Sequence, residues 1–316
     1  MRVVFGAAII LTLAAAPLVA QWPAYQNVPN TPKLPDGKVD LKAPAPRTPD
    51  GKPDLSGVWE TAPCPDCAPP VIDGLSPTPG SGQAAASPGD ARGQQGRGNA
   101  VAPPAAAGGG RGGGRGNGGF GRNVFGNIGG TTPEGEAPYQ PWARELVQKR
   151  MADNSKDNPD AHCLPMGFLQ FHNHPEPRKM IQTPNLLVII YEANSGLRQI
   201  FMDGRKLPNK DNVEPWYYGY SVGHWEGDTL VVETTGFMDG QWLDVRGSPM
   251  TDAAKVTEKF RRPNYGNLEI EITVDDPKAY TKPWTVKVNQ RIMPDTELIE
   301  FICEDRDATH YVGTSK

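Results

Sequence analysis

One histidine and several carboxylates gather around a single predicted turn of the chain. His224, Glu226 and Asp228 flank Gly227, and Asp203 follows an earlier predicted strand. A histidine beside carboxylates can serve as a general base, so His224, Glu226 and Asp203 form the candidate catalytic set. The alternative, which the sequence favours, is turn chemistry, because Gly227 and Asp228 are residue types that make such a bend.

Two further histidines, His172 and His174, suggest a metal site. On an extended segment, residues two apart project to the same side. His162, Glu176 or the distant His224 could complete the ligand set. Two histidines supply only half of a zinc coordination sphere. The alternative is that both histidines are exposed polar residues of a loop.

A third candidate set combines aromatic rings with arginines. Rings inside a barrel usually fill it, but a surplus of rings can line a pocket for a flat apolar ligand. An arginine at a strand end can bind a ligand carboxylate through two hydrogen bonds, although such residues are more often solvated. The candidate ligand-binding residues are Arg198, Arg205, Tyr220, Arg262, Tyr280 and Trp284.

The cysteines are interpreted as structural. A thioredoxin-like interpretation of Cys64-Pro-Asp-Cys67 needs a βαβ context, and a zinc ribbon needs a second pair of the same spacing. The sequence has neither, which favours disulfides in an oxidising compartment. We expect Cys64 to pair with Cys67 and Cys163 with Cys303, although four cysteines allow three connectivities.

Composition narrows the class of function. The net charge of −4 over 316 residues argues against a polyanion-binding protein, so no nucleic-acid partner is expected. We expect no Gly-x-Ser-x-Gly nucleophile elbow, no P-loop and no His-Glu-x-x-His motif, so phosphoryl transfer and the common hydrolase chemistries lack their signatures. No cofactor is predicted, and the sequence predicts no oligomeric state.

Residues 1–20 are typical of a secretory signal peptide. Arg2 supplies the positive charge, residues 3–15 form an apolar run, and Ala20 closes the segment. The apolar run is short for a membrane-spanning helix, and no later stretch of the sequence is long and apolar enough to form one. We therefore expect no membrane span. The sequence therefore predicts export to the periplasm or the medium.

The rest of the chain divides by composition. Residues 21–54 hold a repeat, Pro35-Asp-Gly-Lys-Val-Asp-Leu41 and Pro49-Asp-Gly-Lys-Pro-Asp-Leu55, and predict an extended strap with two turns. Residues 55–74 hold a first strand and the Cys64–Cys67 loop. Residues 75–130 are rich in Gly, Pro and Arg, and predict a disordered insertion. Residues 131–316 form the body.

The body predicts one short helix and then an all-β meander. Pro141 with apolar residues at helical spacing indicates about three helical turns. Paired segments with period-two alternation follow, which indicates eight antiparallel strands. Closure into a barrel removes the exposed edges and leaves an interior for a small ligand. The predicted strands are 186–191, 197–202, 218–225, 229–235, 256–261, 268–274, 284–291 and 298–304.

A ninth strand carries Gly57-x-Trp59, which resembles the lipocalin and calycin signature. In that family the tryptophan plugs the closed end of the barrel. The resemblance implies a lipocalin-like barrel of about 8–9 strands with Trp59 buried at its closed end. We place the Glu226–Asp228 turn at the opposite, open end.

Longer motifs resemble a widespread group of secreted bacterial proteins. They are Pro53-Asp-Leu-Ser-Gly-Val-Trp59, Cys163-Leu-Pro165, Met202-Asp-Gly-Arg205, Gly223-His-Trp-Glu-Gly-Asp-Thr-Leu-Val-Val232 with Thr235-Gly236, and Asp276-Pro-Lys-Ala-Tyr-Thr-Lys-Pro-Trp284. The resemblance implies export and a β-barrel domain, and assigns no reaction. The chain departs from the group at residues 171–174. A function that depends on His172 and His174 would therefore be specific to this protein and not shared with the group.

Three functions stay open on the sequence alone. The leading hypothesis is an exported lipocalin-like protein that binds or carries a small apolar molecule. The second is a barrel enzyme with acid–base chemistry, of the isomerase, hydratase or lyase type. The third is a surface-adhesion protein whose Arg-Gly insertion binds an anionic polymer. The sequence does not decide whether the protein is an enzyme.

Overall fold

Nine strands form a closed barrel in the computed structural model, which describes residues 31–62, 137–174, 176–209, 214–301 and 303. The order around the barrel is β1-β11-β10-β9-β6-β5-β4-β3-β2, and β7 and β8 form a separate two-stranded sheet. The strands are β1 (Gly57–Thr61), β2 (Arg178–Gln182), β3 (Leu186–Tyr191), β4 (Leu197–Phe201), β5 (Tyr220–Glu226), β6 (Thr229–Thr235), β7 (Gln241–Trp242), β8 (Pro249–Met250), β9 (Lys255–Arg261), β10 (Asn267–Asp275) and β11 (Trp284–Ile292).

The predicted all-β barrel with one short helix before it is confirmed. Helix α1 spans Pro141–Ala152, and a single turn, α2, spans Gln170–Asn173. Within the barrel, two strand predictions differ from the structure: β2 was not predicted, and residues 298–301 of the predicted last strand are irregular. β2 therefore takes the place of that strand and keeps the number of barrel strands at nine. The short strands β7 and β8 were not predicted either.

One pair of neighbouring strands, β4 and β5, is parallel, so the barrel is mixed and differs at this pair from the predicted antiparallel meander. Strands that alternate in direction can close a barrel only when their number is even. Nine strands therefore require a parallel pair. The long connection between β4 and β5 permits the crossover that parallel pairing needs.

Alternation along the strands separates the core from the surface. In β10, the side chains of Leu268, Ile270, Ile272 and Val274 are buried in the barrel, and Glu269 and Glu271 face outward. Outward charges pair across strands, as where Arg261 Nη2 lies 2.6 Å from Glu269 Oε2. A one-residue slip would exchange the two faces, so burial fixes the register.

One end of the barrel, the strap end, is closed by Trp59. The indole is fully buried, and its Nε1 donates to the carbonyl of Leu55 at 3.0 Å. The guanidinium of Arg262 lies 4.8 Å from the centre of the ring. Gly57 has a φ of +140°, and a Cβ there would meet the side chain of Ile292 at 3.0 Å, so this position requires glycine.

The expectation that the Glu226–Asp228 turn lies at the open end is wrong. Thr229 pairs with Arg261, the neighbour of Arg262, so the turn lies at the strap end with Trp59. Arg47 of the strap pairs with Asp228 through two hydrogen bonds of 2.9 and 2.7 Å. The register of β6 with β9, which the sequence does not reveal, decides this placement.

The strap uses its repeat to make the same turn twice. Lys33 bridges Val39 around the first Pro-Asp-Gly, and Arg47 bridges Pro53 around the second. Gly37 and Gly51 have φ values of +83° and +81°, which suit glycine. The backbone N–H groups of Tyr265 and Gly266 donate to the strap carbonyls of Ala43 and Leu41, which fixes the strap to the barrel.

The opposite end, the plug end, is filled by a separate stretch of chain, residues 166–174, here called the plug. Met166, Phe168, Leu169, Phe171 and His172 are all buried there. The plug enters the barrel past β7. A Cβ on Gly167 would lie 1.8 Å from the carbonyl oxygen of Trp242, so only glycine permits this approach.

A disulfide between Cys163 and Cys303, with Cα atoms 5.5 Å apart, joins the start of the plug region to the C-terminal segment, in agreement with the predicted pairing. Cys64, Cys67, the signal segment and the 75–130 insertion lie outside the described residues. None of the helices in the described ranges is long and apolar enough to cross a membrane.

Replacing Trp59 with alanine should lower the free energy of unfolding by about 3–5 kcal/mol, because the substitution deletes a fully packed aromatic ring. The matched control is Trp142→Ala on α1, where the ring is 44% exposed. That change should cost about 1 kcal/mol or less. Urea unfolding of both variants measures the difference, and equal losses would contradict the assignment of Trp59 as the closing residue.

Replacing Cys303 with serine should lower the free energy of unfolding by about 3–5 kcal/mol on the chain-entropy model. The residues joined are 140 apart in sequence, so the bond restricts a large loop in the unfolded chain. Cys163→Ser should cost the same, and the double variant no more than either single one. Urea unfolding tests this, and additive losses would show that the two cysteines act separately.

Candidate functional site

Five polar side chains meet inside the barrel near the plug end, and they are called the interior cluster: His172, Arg198, Ser221, Thr234 and Glu258. All are buried. The Glu258 carboxylate accepts from both terminal guanidinium nitrogens of Arg198, with Nη1 at 3.0 Å from Oε1. His172 Nε2 lies 2.9 Å from the same Oε1. The two hydroxyls complete the group, because Arg198 Nη2 donates to Ser221 Oγ at 3.1 Å and to Thr234 Oγ1 at 3.0 Å.

The strand pattern explains why these groups point inward. Glu258 stands between Val256 and Phe260 on the buried face of β9, and Arg198 shares the buried face of β4 with Ile200. Ser221 and Thr234 are partners in the β5–β6 register. His172 arrives from the plug instead. The cluster therefore joins strands β4, β5, β6 and β9 to the segment that closes the barrel.

The charges in the cluster balance. Although burial alone would raise the pKa of Glu258, Arg198 and His172 lower it to about 2. Burial, with Arg198 and Arg178 nearby, holds the pKa of His172 below its ordinary value. His172 is therefore neutral and donates its Nε2–H to ionised Glu258. Its Nδ1 has no hydrogen-bond partner among the described residues.

Aromatic rings of the plug surround the cluster. Phe168 lies under the guanidinium of Arg198, 4.5 Å from ring centre to Cζ. Phe171 stacks on Tyr191 with ring centres 4.0 Å apart, and Tyr218 meets Phe171 edge-on at 4.7 Å. Burial raises the pKa of Tyr191 to about 12. The result is a polar centre surrounded by buried aromatic rings, several of which belong to the plug; this packed region is called the chamber.

Arg178, on β2, holds the C-terminal end of the plug. Its guanidinium donates to the carbonyls of His172 at 2.7 Å, His174 at 2.9 Å and Glu176 at 3.3 Å. Burial lowers the pKa of Arg178 to about 10. His172 lies in α2 and the other two residues follow it, so the arginine satisfies acceptors that the end of a helix leaves free.

The predicted catalytic set lies on the outer rim of the strap end. The side chains of His224 and Glu226 are 57% and 65% exposed, with Nε2 3.2 Å from Oε1. Asp203 follows β4, the parallel neighbour of β5, and its carboxylate is paired with Arg205. Exposed groups of this kind lack the water-excluding surroundings that strengthen acid–base and electrostatic catalysis.

The predicted ligand-binding residues separate into four places. Arg198 lies in the interior cluster. Arg205 and Tyr220 meet on the outer face, with Nη1 3.0 Å from the phenol oxygen. Arg262 lies at the strap end, where burial lowers its pKa to about 10. Tyr280 and Trp284 pack together with ring centres 5.2 Å apart, and Tyr280 donates to the carbonyl of Pro249.

The extended conformation expected around the two predicted metal ligands is wrong. Residues 170–173 form one helical turn, so His172 turns into the barrel while His174 lies outside it between Asp160 and Glu176. Across the part of the chain that the structure describes, no group of three or more His, Cys, Asp or Glu side chains is arranged to hold a metal ion.

Two sequence signals point to the interior cluster, and neither entered the predicted sites. Gly219-Tyr-Ser-Val-Gly223 fits the Gly-x-Ser-x-Gly pattern around Ser221. The structure places Ser221 within β5 instead of on a strand-to-helix turn, so this is not a nucleophile elbow. Glu258 occupies an inward position of an alternating strand, where a carboxylate indicates a buried partner.

Comparison with known proteins gives no match to a family model, to a curated protein or to a solved structure.

The two histidines of the plug should shape the pH dependence of stability on opposite sides of pH 6.5, the ordinary histidine pKa. The pKa of His172 is lowered, so the unfolded chain binds more protons below pH 6.5, and stability falls as the pH falls. Burial alone would lower the pKa of His174, but Asp160 and Glu176 raise it, so its contribution is lost as the pH rises above 6.5.

Urea unfolding across pH 5–8 should therefore lose its acid-side slope in His172→Gln and its alkaline-side slope in His174→Gln. Each variant is the control for the other. Identical profiles for both variants would contradict the assigned protonation states.

Proposed function

We propose that this protein is an exported, lipocalin-like barrel that binds a small, largely apolar molecule in the chamber now filled by the plug. Binding displaces the plug side chains from the chamber. The observation that carries the proposal is the construction of the plug end: a loop segment with a single helical turn fills it, while strands and the buried Trp59 close the other end.

The chemistry of the chamber supports ligand binding. Small-molecule sites are mostly apolar and carry a few fixed polar groups that orient the ligand. Phe260, Tyr191 and Ile189 supply apolar wall, and the Arg198–Glu258 pair with Ser221 supplies fixed polar groups. A buried ion pair is a weak source of stability compared with apolar packing of similar volume, so stability alone does not account for the pair.

The plug can leave the chamber without unpairing a barrel strand, although its side chains Met166, Phe168, Leu169 and Phe171 belong to the buried core. It is one turn of helix, it lies between the Cys163 disulfide and β2, and its polar attachments are to Glu258, Thr61 and Arg178. Opening exposes those apolar side chains to water, so the open form is a minor population. The apparent affinity for a ligand then depends on the fraction of molecules with the plug displaced.

Export rests on two features. The predicted signal segment precedes the strap, and the Cys163–Cys303 bond is of a kind that persists in oxidising compartments. The enzyme hypothesis and the adhesion hypothesis stay predictions. The first depends on the exposed His224 and Glu226, and the second on the insertion, which lies outside the described residues.

A single methyl group tests the proposal. Gly196 has an ordinary φ, so alanine suits its backbone. A Cβ there would lie 2.9 Å from Cζ of Phe171, so Gly196→Ala introduces a steric clash with the plug. The matched control is Gly266→Ala, where the Cβ would lie 2.7 Å from Cβ of Leu41 in the strap. Both changes add one methyl group, but at opposite ends of the barrel.

Fluorescence titration with the neutral apolar probe N-phenylnaphthylamine should show one saturable site. Gly196→Ala should tighten binding about three- to tenfold, because a strained plug raises the population that can bind. Gly266→Ala should leave the affinity unchanged. Equal tightening by both variants, or no saturable binding by the parent protein, would overturn the proposal.

A further inference from the structure

The outer face of three neighbouring strands, β2, β3 and β4, carries apolar side chains, whereas the outer face of β9 and β10 carries charges. Leu186, Val188 and Ile190 point outward from β3 and are half-buried. Ile181 on β2 and Leu197 on β4 are 42% and 54% exposed. The outward apolar residues of these strands, here called the apolar face, are Ile181, Leu186, Val188, Ile190, Leu197 and Phe201.

The sequence of β3 indicates that the apolar face is covered. Residues 186–191 are apolar or aromatic at every position, a pattern typical of strands that are buried on both sides. β10 shows the pattern of a strand with one wet side, because Glu269 and Glu271 point outward from it. Burial inside the barrel accounts for every second residue of the β3 run. The outward half of the run needs a separate physical reason, which a contact on the outer surface would supply.

The strand register makes the apolar face one continuous patch. Val188 is the outward residue in the middle of β3, and it lies between Ile181 on β2 and Gln199 on β4. Ile190 lies beside Leu197 in the same way. Cross-strand neighbours of this kind are close enough to contact one another. Val188 is therefore the centre of the patch.

Two aromatic rings extend the apolar face toward β5. The ring centre of Tyr220 lies 5.1 Å from that of Phe201 and 5.1 Å from that of Trp216, which is 40% exposed. With these rings, four strands of about 17 Å present roughly 350 Å² of projected area, from the usual strand spacing. A patch of this size is typical of interaction sites on monomers. Two such patches pressed together bury less than the roughly 1,200 Å² of stable complexes, so the area predicts weak, reversible association.

Charge decides which partner fits the apolar face. Two charged pairs at its rim are closed within the chain: Lys179 Nζ lies 2.5 Å from Glu297 Oε2, and Arg205 Nη2 lies 2.5 Å from Asp203 Oδ2. Balanced charges of this kind attract neither an anionic nor a cationic partner over long distances. The surface that complements an uncharged sheet face is another uncharged sheet face, and a second copy of this chain supplies one.

We infer that two copies of this protein associate through the apolar face, sheet against sheet, with Val188 close to a two-fold axis. Such a contact uses the same patch on both copies, which is the commonest arrangement of homo-oligomers. The two sheets pack about 10 Å apart, so that the exposed Ile181 and Leu197 become buried between them. The apolar face lies outside the barrel, so the inference does not depend on the proposed function.

Sedimentation equilibrium of the full chain tests the inference. The parent protein should pass from monomer to dimer as its concentration rises from about 5 to about 500 µM, a range that suits so small a contact. Val188→Lys should raise the dissociation constant at least about 100-fold, because two lysines would face each other near the axis and like charges oppose association.

Thr257→Lys is the matched control. Thr257, like Val188, is β-branched, half-buried and directed outward from a barrel strand, but it lies on β9. It should leave the dissociation constant within about twofold of the parent value, because surface changes away from a contact have small effects. Leu197→Glu is a second disrupting variant at the most exposed position of the apolar face. It should weaken association at least about tenfold, and its side chain reaches water in the monomer, so the fold is kept.

Either of two results would overturn the inference. One is a parent protein that stays monomeric up to the highest concentration, even if the apolar face then proves to bind lipid vesicles or another protein. The other is a dimer that persists in both Val188→Lys and Leu197→Glu, because it must then use a different surface. The first result needs no variant, so it decides the matter even if Val188→Lys does not fold. Association is measured without a ligand, so its outcome is independent of whether the chamber binds one.

Discussion

The ion pair between Arg198 and Glu258 is the constraint on which the rest of the barrel interior depends. Two opposite charges are held away from water, and each needs the other because an uncompensated buried charge costs several kcal/mol (about 3–5). The pair also determines what its neighbours do. Ser221 and Thr234 accept hydrogen bonds from Arg198, and a neutral His172 donates one to Glu258. The plug is therefore fixed in the barrel by a polar requirement as well as by its rings.

The two ends of the barrel are closed by different physical means. At the strap end, Trp59 is packed under Arg262, and the strap adds backbone hydrogen bonds at Tyr265 and Gly266. At the plug end, closure depends on a short segment whose side chains fill the chamber and whose carbonyls are held by Arg178. The first arrangement belongs to the strands themselves, whereas the second can change without unpairing any strand.

Much of the barrel was predictable from the sequence, because the alternation of apolar and polar residues in strands such as β10 indicates which face of the strand is buried. Strand β2 was missed because it begins with two charged residues, Arg178 and Lys179, and therefore does not show the alternation of apolar and polar residues. Arg178 occupies an inward position although it is charged. The interior cluster was missed for the same reason. An inward Glu258 is recognisable only when its partner on β4 is known, and that contact depends on the closure of the barrel. The position of the Glu226–Asp228 turn likewise depends on register.

The disulfide has a consequence for the plug that concerns neighbouring molecules. A displaced segment that can fill a barrel could also fill the barrel of a second copy, which is the route to domain-swapped dimers and chains. Cys163 ties the entrance of the plug to Cys303 of its own chain, and β2 ties the exit. The segment is thus tethered at both ends. If the plug moves as proposed, these tethers let it swing aside and return, and they oppose its exchange between molecules while the bond is intact.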